Sequence, residues 1–252
     1  MEINQIYNRE CLEAMQEIKS QSIDMILCDL PYGTTKNKWD FVIDLVKLWG
    51  EYKRIIKTNG AIVLTAQTPF DKILGCSNLE WLKYEWIWYK YNSTGFLNAN
   101  FAPLKEHENI LVFSEGSASF VKDKSNSMNY YPQNLKQHNK IMKRSAGKGN
   151  YDEKNIPTQS VQKFTNYPTS VLKFQQEKGL HPTQKPVALF EYLIKTYTNE
   201  NDLVLDNCMG SGTTAIACIN TNRNYLGFEL DKTYFDIAEE RIRIAKSQLR
   251  LF

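Results

Sequence analysis

The chain has 252 residues, 42% of them hydrophobic and 23% charged, with a net charge of +3 at pH 7. That composition supplies a core for one α/β domain with a smaller insertion. The absence of an N-terminal apolar h-region and of any long apolar span argues against secretion or membrane crossing, so a cytoplasmic protein is expected. The five cysteines (Cys11, Cys28, Cys76, Cys208 and Cys218) are scattered, odd in number and without a Cys-x-x-Cys pair. They are expected to be reduced and mostly buried, with no metal site.

The first strong element is the apolar run Ile23 to Cys28, a buried strand that ends at Asp29-Leu30-Pro31-Tyr32 and a glycine turn. In open α/β sheets the carboxyl ends of strands are where ligands bind. The residues after the strand suit one chemical problem. An amino group on a heteroaromatic ring is a poor nucleophile, because its lone pair is delocalised into the ring. Asp29 and the carbonyl beside Pro31 can each accept an N–H bond and draw that lone pair out of conjugation, while Tyr32 can stack on the ring. Alone, the same residues read equally well as an ordinary Pro-Gly turn with a capping Asp.

A helix is predicted from about Phe41 to Lys57, with Leu45, Leu48, Trp49 and Tyr52 on one face, then strands at Ala61–Leu64, Tyr84–Tyr89 and Ile110–Phe113. The run Trp81 to Tyr89 has the look of an aromatic DNA-binding interleave, but strand core is the better reading, and His107 reads as a polar-rim residue. Residues 115–180 carry eleven Lys or Arg against five Asp or Glu, a balance of +6 in a stretch rich in Asn, Ser, Gln and Gly. Such a segment is either a solvated insertion or a DNA-facing one, with basic side chains on phosphates and polar ones at base edges.

Pro186 opens a helix through Tyr197. Asp202 to Asp206 is a second strand ending in an acid, followed by Asn207-Cys208-Met209-Gly210-Ser211-Gly212-Thr213-Thr214 and an apolar helix, Ala215–Ile219. Gly210 and Gly212 permit a tight turn and close approach of a ligand to the backbone. No Lys follows Gly212, so this is not a phosphate-cradling loop of the P-loop type. The strand Tyr225–Phe228 ends at Glu229, about 20 residues beyond the first glycine, where Rossmann-like folds present an acid to a ribose. A last helix spans Tyr234 to about Gln248. The alternation predicts a mostly parallel sheet.

Taken together, these blocks resemble the S-adenosylmethionine-dependent DNA amino-methyltransferases (N6-adenine/N4-cytosine), in the β-group order. The catalytic motif comes first and the glycine loop last. The resemblance is carried by Asp29–Tyr32, Ile56–Leu64, His107–Phe113, His181-Pro182-Thr183-Gln184-Lys185-Pro186, Asp206–Thr214 and Tyr225–Leu230. Leu30 and Asn207 stand where the family usually has Pro, and Glu10 stands near where it often has Asp.

The resemblance implies a Rossmann-like methyltransferase fold with an inserted target-recognition region: a catalytic part over 1–114, the insertion over 115–178 and a cofactor-binding part over 179–252. It implies S-adenosylmethionine as cofactor, held by Glu10, Asp29, Thr183, Lys185, Asp206, Gly210, Ser211, Gly212, Thr213 and Glu229. Asp29, Pro31 and Tyr32 would be catalytic. Lys36, Lys38, Lys140, Lys143, Arg144 and Lys148 would contact double-stranded DNA. A flipped adenine is the expected target, because Asp at the first motif position goes mostly with adenine in the family; cytosine N4 is the alternative. A homodimer and a restriction endonuclease partner belong to the same expectation. Two other classes share parts of the pattern. A nicotinamide-dependent oxidoreductase shares the glycine turn and ribose acid but has no use for Asp29–Tyr32. A catalytically silent DNA-binding protein needs only the insertion.

Overall fold

The structure is a computed structural model and describes residues 1–33, 42–119, 124–143, 159–177 and 184–249. In chain order the elements are β1 (Gln5–Tyr7), α1 (Cys11–Met15), β2 (Ile23–Asp29), α2 (Leu45–Ile55), β3 (Ile56–Ala66), α3 (Phe70–Cys76), β4 (Leu82–Thr94) and β5 (Lys105–Phe113). There follow β6 (Lys136–Lys143), β7 (Gln159–Thr165), β8 (Val171–Lys173), α4 (Val187–Tyr197), β9 (Leu203–Asp206), α5 (Thr213–Asn220), β10 (Asn224–Phe228) and α6 (Lys232–Leu249). The chain divides into two compact units, one of residues 1–131 and 170–252 and one of residues 132–169.

The larger unit is built on an eight-stranded sheet in the order β1-β10-β9-β2-β3-β5-β4-β8. The first four contacts along that order, from β1 to β3, are parallel, β5 runs antiparallel to both its neighbours, and β8 is parallel to β4. The sheet is thus mainly parallel, as the alternation predicted. Buried parallel strands read as unbroken apolar runs because helices cover both faces. In β2, Ile26 and Cys28 face the layer of α1, α2 and α3 with Met15, Leu48, Tyr52 and Phe70. Met25 and Leu27 face the layer of α4, α5 and α6 with Leu189, Phe190, Ala217 and Ile242. Trp86 and Trp88 of β4 are buried in this second layer, so the aromatic run is strand core.

Several boundaries differ from the predicted ones. Helix α2 begins at Leu45 because Asp44 caps it, accepting from the Val46 and Lys47 N–H groups. Phe41 lies outside the described residues. Pro186 occupies the N-cap of α4, not its first helical position. The smaller unit contains the antiparallel hairpin β6–β7, paired from Lys136↔Thr165 to Lys143↔Gln159. Among the described residues no helix is long and apolar enough to cross a membrane.

Candidate active site

Strand order brings the two acid-ending motifs side by side. β2 pairs with β9 through Met25↔Val204 and Ile26↔Leu205, and β9 pairs with β10 through Gly227↔Asp206. Asp29, Asp206 and Glu229 therefore emerge from three adjacent parallel strands at one carboxyl edge. They line one cavity of about 470 Å³, with Glu10, Pro31, Tyr32, Lys185, Gly210, Ser211 and Thr213 also in its wall. That size suits a small organic ligand.

Asp29 is held from three sides. Its Oδ1 accepts from the Tyr32 hydroxyl at 2.6 Å and from Thr65 Oγ1, which stands opposite it in the β2–β3 register. Its Oδ2 accepts from Lys185 Nζ at 2.5 Å. A carboxylate has about four acceptor positions, so one is left for an incoming N–H. Phe70 backs one face of Tyr32, with ring centroids 5.3 Å apart. Leu30, where the family usually has Pro, is buried in the α1–α3 layer.

Lys185 does not serve Asp29 alone. It lies 3.5 Å from Glu108 Oε2, and Glu108 Oε1 accepts from Lys90 Nζ and, at 2.8 Å, from Gln67 Nε2. Lys90, Glu108 and Lys185 are each buried. Burial pushes the Glu108 carboxyl up, but the Lys185 and Lys90 ammoniums outweigh it and hold it below the usual carboxylate range. Burial likewise works against the Lys185 charge, yet Asp29 and Glu108 raise its affinity for the proton overall. The sequence pointed to Lys185 but not to Thr65, Gln67, Lys90 or Glu108. The visible signal for Glu108 was a charged residue in a run that becomes wholly apolar two positions later.

The glycine turn is built for close approach. Gly210 (φ +53°) has no atom within 4 Å of where a Cβ would stand, whereas a Cβ on Gly212 (φ +86°) would sit 3.1 Å from Ala238 of α6. Gly212 is thus needed for packing and conformation, and Gly210 leaves open space. Arg241 of α6, which the sequence did not single out, clamps the turn by donating to the Ser211 carbonyl and hydroxyl. Glu229 accepts from the Gly210 N–H at 2.7 Å and the Asp231 N–H at 2.8 Å, one on each oxygen. Burial raises its carboxyl, with those N–H groups opposing.

Asp206 is buried, accepts from Thr214 Oγ1 at 2.5 Å and the Cys208 N–H at 3.0 Å, and has no ion-pair partner among the described residues. Burial pushes its carboxyl up to about 6. Asn207, another position where the family usually has Pro, accepts from the buried Tyr52 hydroxyl. Glu10 lines the cavity and also caps α1 through the Glu13 N–H at 2.8 Å. Cys28 is buried between the layers and its thiol is pushed up to about 12, which suits packing rather than nucleophilic chemistry. Thr183, Lys36, Lys38, Arg144 and Lys148 lie outside the described residues.

An Asp-x-Pro-Tyr strand end thus stands beside a strand–glycine turn–helix at one edge of a Rossmann-like sheet. Residues 23–240 match a family model described as DNA methylase (N6_N4_Mtase), and the chain belongs to that family. It is 29% identical to the type II methyltransferase M.HinfI of Haemophilus influenzae over 97% of this chain and 69% of that one. It is 28% identical to the DNA adenine methyltransferase YhdJ of Escherichia coli K12, covering 97% of this chain and 84% of YhdJ. The crystal structure of an M1.HpyAVI–SAM complex superposes with a TM-score of 0.61 at 26% identity, covering 94% of this chain and 98% of that one.

Proposed function

We propose that this DNA methyltransferase moves a methyl group from S-adenosylmethionine to the N6 amino group of an adenine flipped out of duplex DNA. The observation that carries the proposal is the meeting of Asp29, Asp206 and Glu229 in one cavity, acceptors for the base beside acceptors for the cofactor. The cavity residues fit that cofactor. Asp206 is a buried carboxylate short of a cation, and the cofactor's methionine end carries positive charge. Each Glu229 oxygen retains a lone pair for a ribose hydroxyl. Gly210 leaves the backbone bare.

The cofactor would supply an electrophilic methyl on a sulfonium sulfur: as the N–C bond forms the S–C bond breaks, the sulfur leaves as the neutral thioether of S-adenosylhomocysteine, and the amino nitrogen gives up one proton to water. Asp29 takes one amino N–H in its remaining acceptor position, and the carbonyl beside Pro31 takes the other. The nitrogen lone pair is then directed out of the ring plane. Tyr32, braced by Phe70, offers its ring for stacking. Such a transfer rests on positioning and acceptors more than on a strong base. Extrusion of the base from the duplex is required for access. The adenine relative YhdJ supports N6 over cytosine N4. Incubation with tritiated S-adenosylmethionine and unmethylated duplex DNA, followed by nucleoside chromatography, is expected to place the label on deoxyadenosine. Label on deoxycytidine would shift the target to N4, and no incorporation would end the proposal.

Two predictions concern the cofactor. Glu229→Ala is expected to weaken S-adenosylmethionine binding by roughly tenfold or more, the loss of charge-assisted hydrogen bonds. An unchanged dissociation constant in calorimetry would remove Glu229 from the cofactor site. Asp206 predicts a pH dependence. Its folded pKa of about 6 lies above the ordinary 3.8, so the unfolded chain gives up its proton first as pH rises. Ligand-free stability therefore falls between about pH 4 and 6, by up to ~3 kcal/mol. A bound cation reverses this preference. Cofactor affinity should rise as pH passes through about 6 and binding at pH 5 should release protons, both effects vanishing in Asp206→Asn. Titrations at pH 5 and 7.5 in buffers of different ionisation enthalpy check it, and an affinity flat with pH would contradict it.

The basic segment is proposed as the DNA-facing part. Neutralising Lys140, Lys143, Arg144 and Lys148 together is expected to flatten the slope of log affinity against log salt by up to ~3 to 4 units, since each phosphate contact adds about −0.9. Equal slopes for wild type and variant would return the segment to a solvated insertion. The type II relatives support a restriction endonuclease partner, and co-expression with restriction challenge of the host DNA tests it.

A further inference from the structure

The hairpin joining β4 to β5 rises past the carboxyl edge of the sheet. β3 ends opposite Asn109, while β5 continues four residues further, to Lys105, roughly 13 Å at the rise of a strand. Trp88, Lys90 and Thr94 of β4 and Glu108 of β5 line the catalytic cavity, so the hairpin forms one of its walls. Its tip is a hydrogen-bonded turn. Gly95 takes φ +94°, Phe96–Asn98 make a 3-10 turn, and the Phe101 and Ala102 N–H groups both donate to the Asn98 carbonyl. The tip presents apolar side chains to solvent: Phe96 is 72% exposed, Leu97 98% and Phe101 89%.

We propose that this tip is a wedge that enters duplex DNA beside the target and fills the space left by the extruded base, with Phe96, Leu97 and Phe101 as the inserting side chains. The proposal rests on the DNA-methylating reading above and deepens it. Extruding a base leaves an apolar gap in the stack, and apolar side chains inserted at base steps are the common filler. The tip carries no charge of either sign, so nothing in it repels phosphate. No Asp or Glu lies between Tyr91 and Lys105, and Asn92, Asn98 and Asn100 offer donors and acceptors for base edges. A second copy of the chain is the competing occupant, and the test below separates the two.

The test uses the full chain carrying Phe96→Ser, Leu97→Ser and Phe101→Ser together. These side chains are solvent-facing, so the fold and cofactor binding should be retained, as checked by melting and calorimetry. Methyl transfer is measured on two duplexes bearing the chain's own modified site, one with the target adenine normally paired and one with it opposite an abasic position. Turnover on the paired duplex is expected to fall roughly tenfold or more, and on the abasic duplex much less, because no base pair then has to be broken on extrusion. No loss on the paired duplex, or equal loss on both, would overturn the wedge. So would a shift from dimer to monomer in analytical ultracentrifugation, which would make the tip a contact between copies. A wild-type chain that methylates no DNA would overturn the underlying reading and the wedge with it. An active wild type with an unimpaired variant would overturn the wedge alone.

Discussion

Asp29→Ala is expected to slow methyl transfer by about a hundredfold or more while S-adenosylmethionine still binds measurably. A charged acceptor removed from a reacting amino group costs ~1.5–3 kcal/mol, roughly tenfold to over a hundredfold in rate. Here the loss goes further, because Asp29 also anchors the Tyr32 hydroxyl, Thr65 and Lys185. Without it the ring that should stack on the base loses its tether. Asp206 ends β9, Gly210 lies in the turn that follows it and Glu229 follows β10, so cofactor affinity should change far less than turnover. Single-turnover rates with calorimetry on the same sample separate the two. Near-normal turnover would remove Asp29 from catalysis.

The second large effect is one of stability. Lys185→Met should destabilise the fold by about 3–5 kcal/mol near neutral pH, the usual cost of removing one partner from a buried ion pair. Lys185 is 5% exposed and ties Asp29 to Glu108, itself 5% exposed. The pH dependence has a definite sign. Glu108 is held below its ordinary range, so its contribution is full above the unfolded value near 4.5 and is lost as pH falls through the lower folded value. The gap between wild type and variant should therefore narrow from pH 7 towards pH 3. Denaturant unfolding across that range checks it. A gap that is absent, or constant with pH, would show that the Lys90–Glu108–Lys185 chain adds no net charge stabilisation.

Much of this site was legible because each key acid ends a strand in the sequence. Asp29, Asp206 and Glu229 follow apolar runs, and a strand end fixes both position and edge. The glycine turn was legible for the same local reason. Thr65, Gln67, Lys90 and Glu108 were not, because their role comes from strand pairing. Thr65 meets Asp29 only through the β2–β3 register, and Lys90 meets Glu108 only because β4 turns back antiparallel on β5. Periodicity reports a face but not a partner. The short elements β1, α1 and α3 have three to seven residues, too few for a period to show. The start of α2 was misplaced because the apolar spacing was followed past Asp44, although the capping residue is the sharper signal. Arg241 sits on a solvent-edged helix among other charged residues, and only the packing of α6 on the glycine turn gives it a role.

The most direct test of the central claim is to express this chain in a methylation-deficient host and sequence that host's DNA for modified bases. The account predicts N6-methyladenine at one recurring sequence, absent when Asp29→Ala is expressed instead. N4-methylcytosine at a recurring sequence would contradict the choice of base. DNA free of both modifications, with the chain folded and present, would contradict the account.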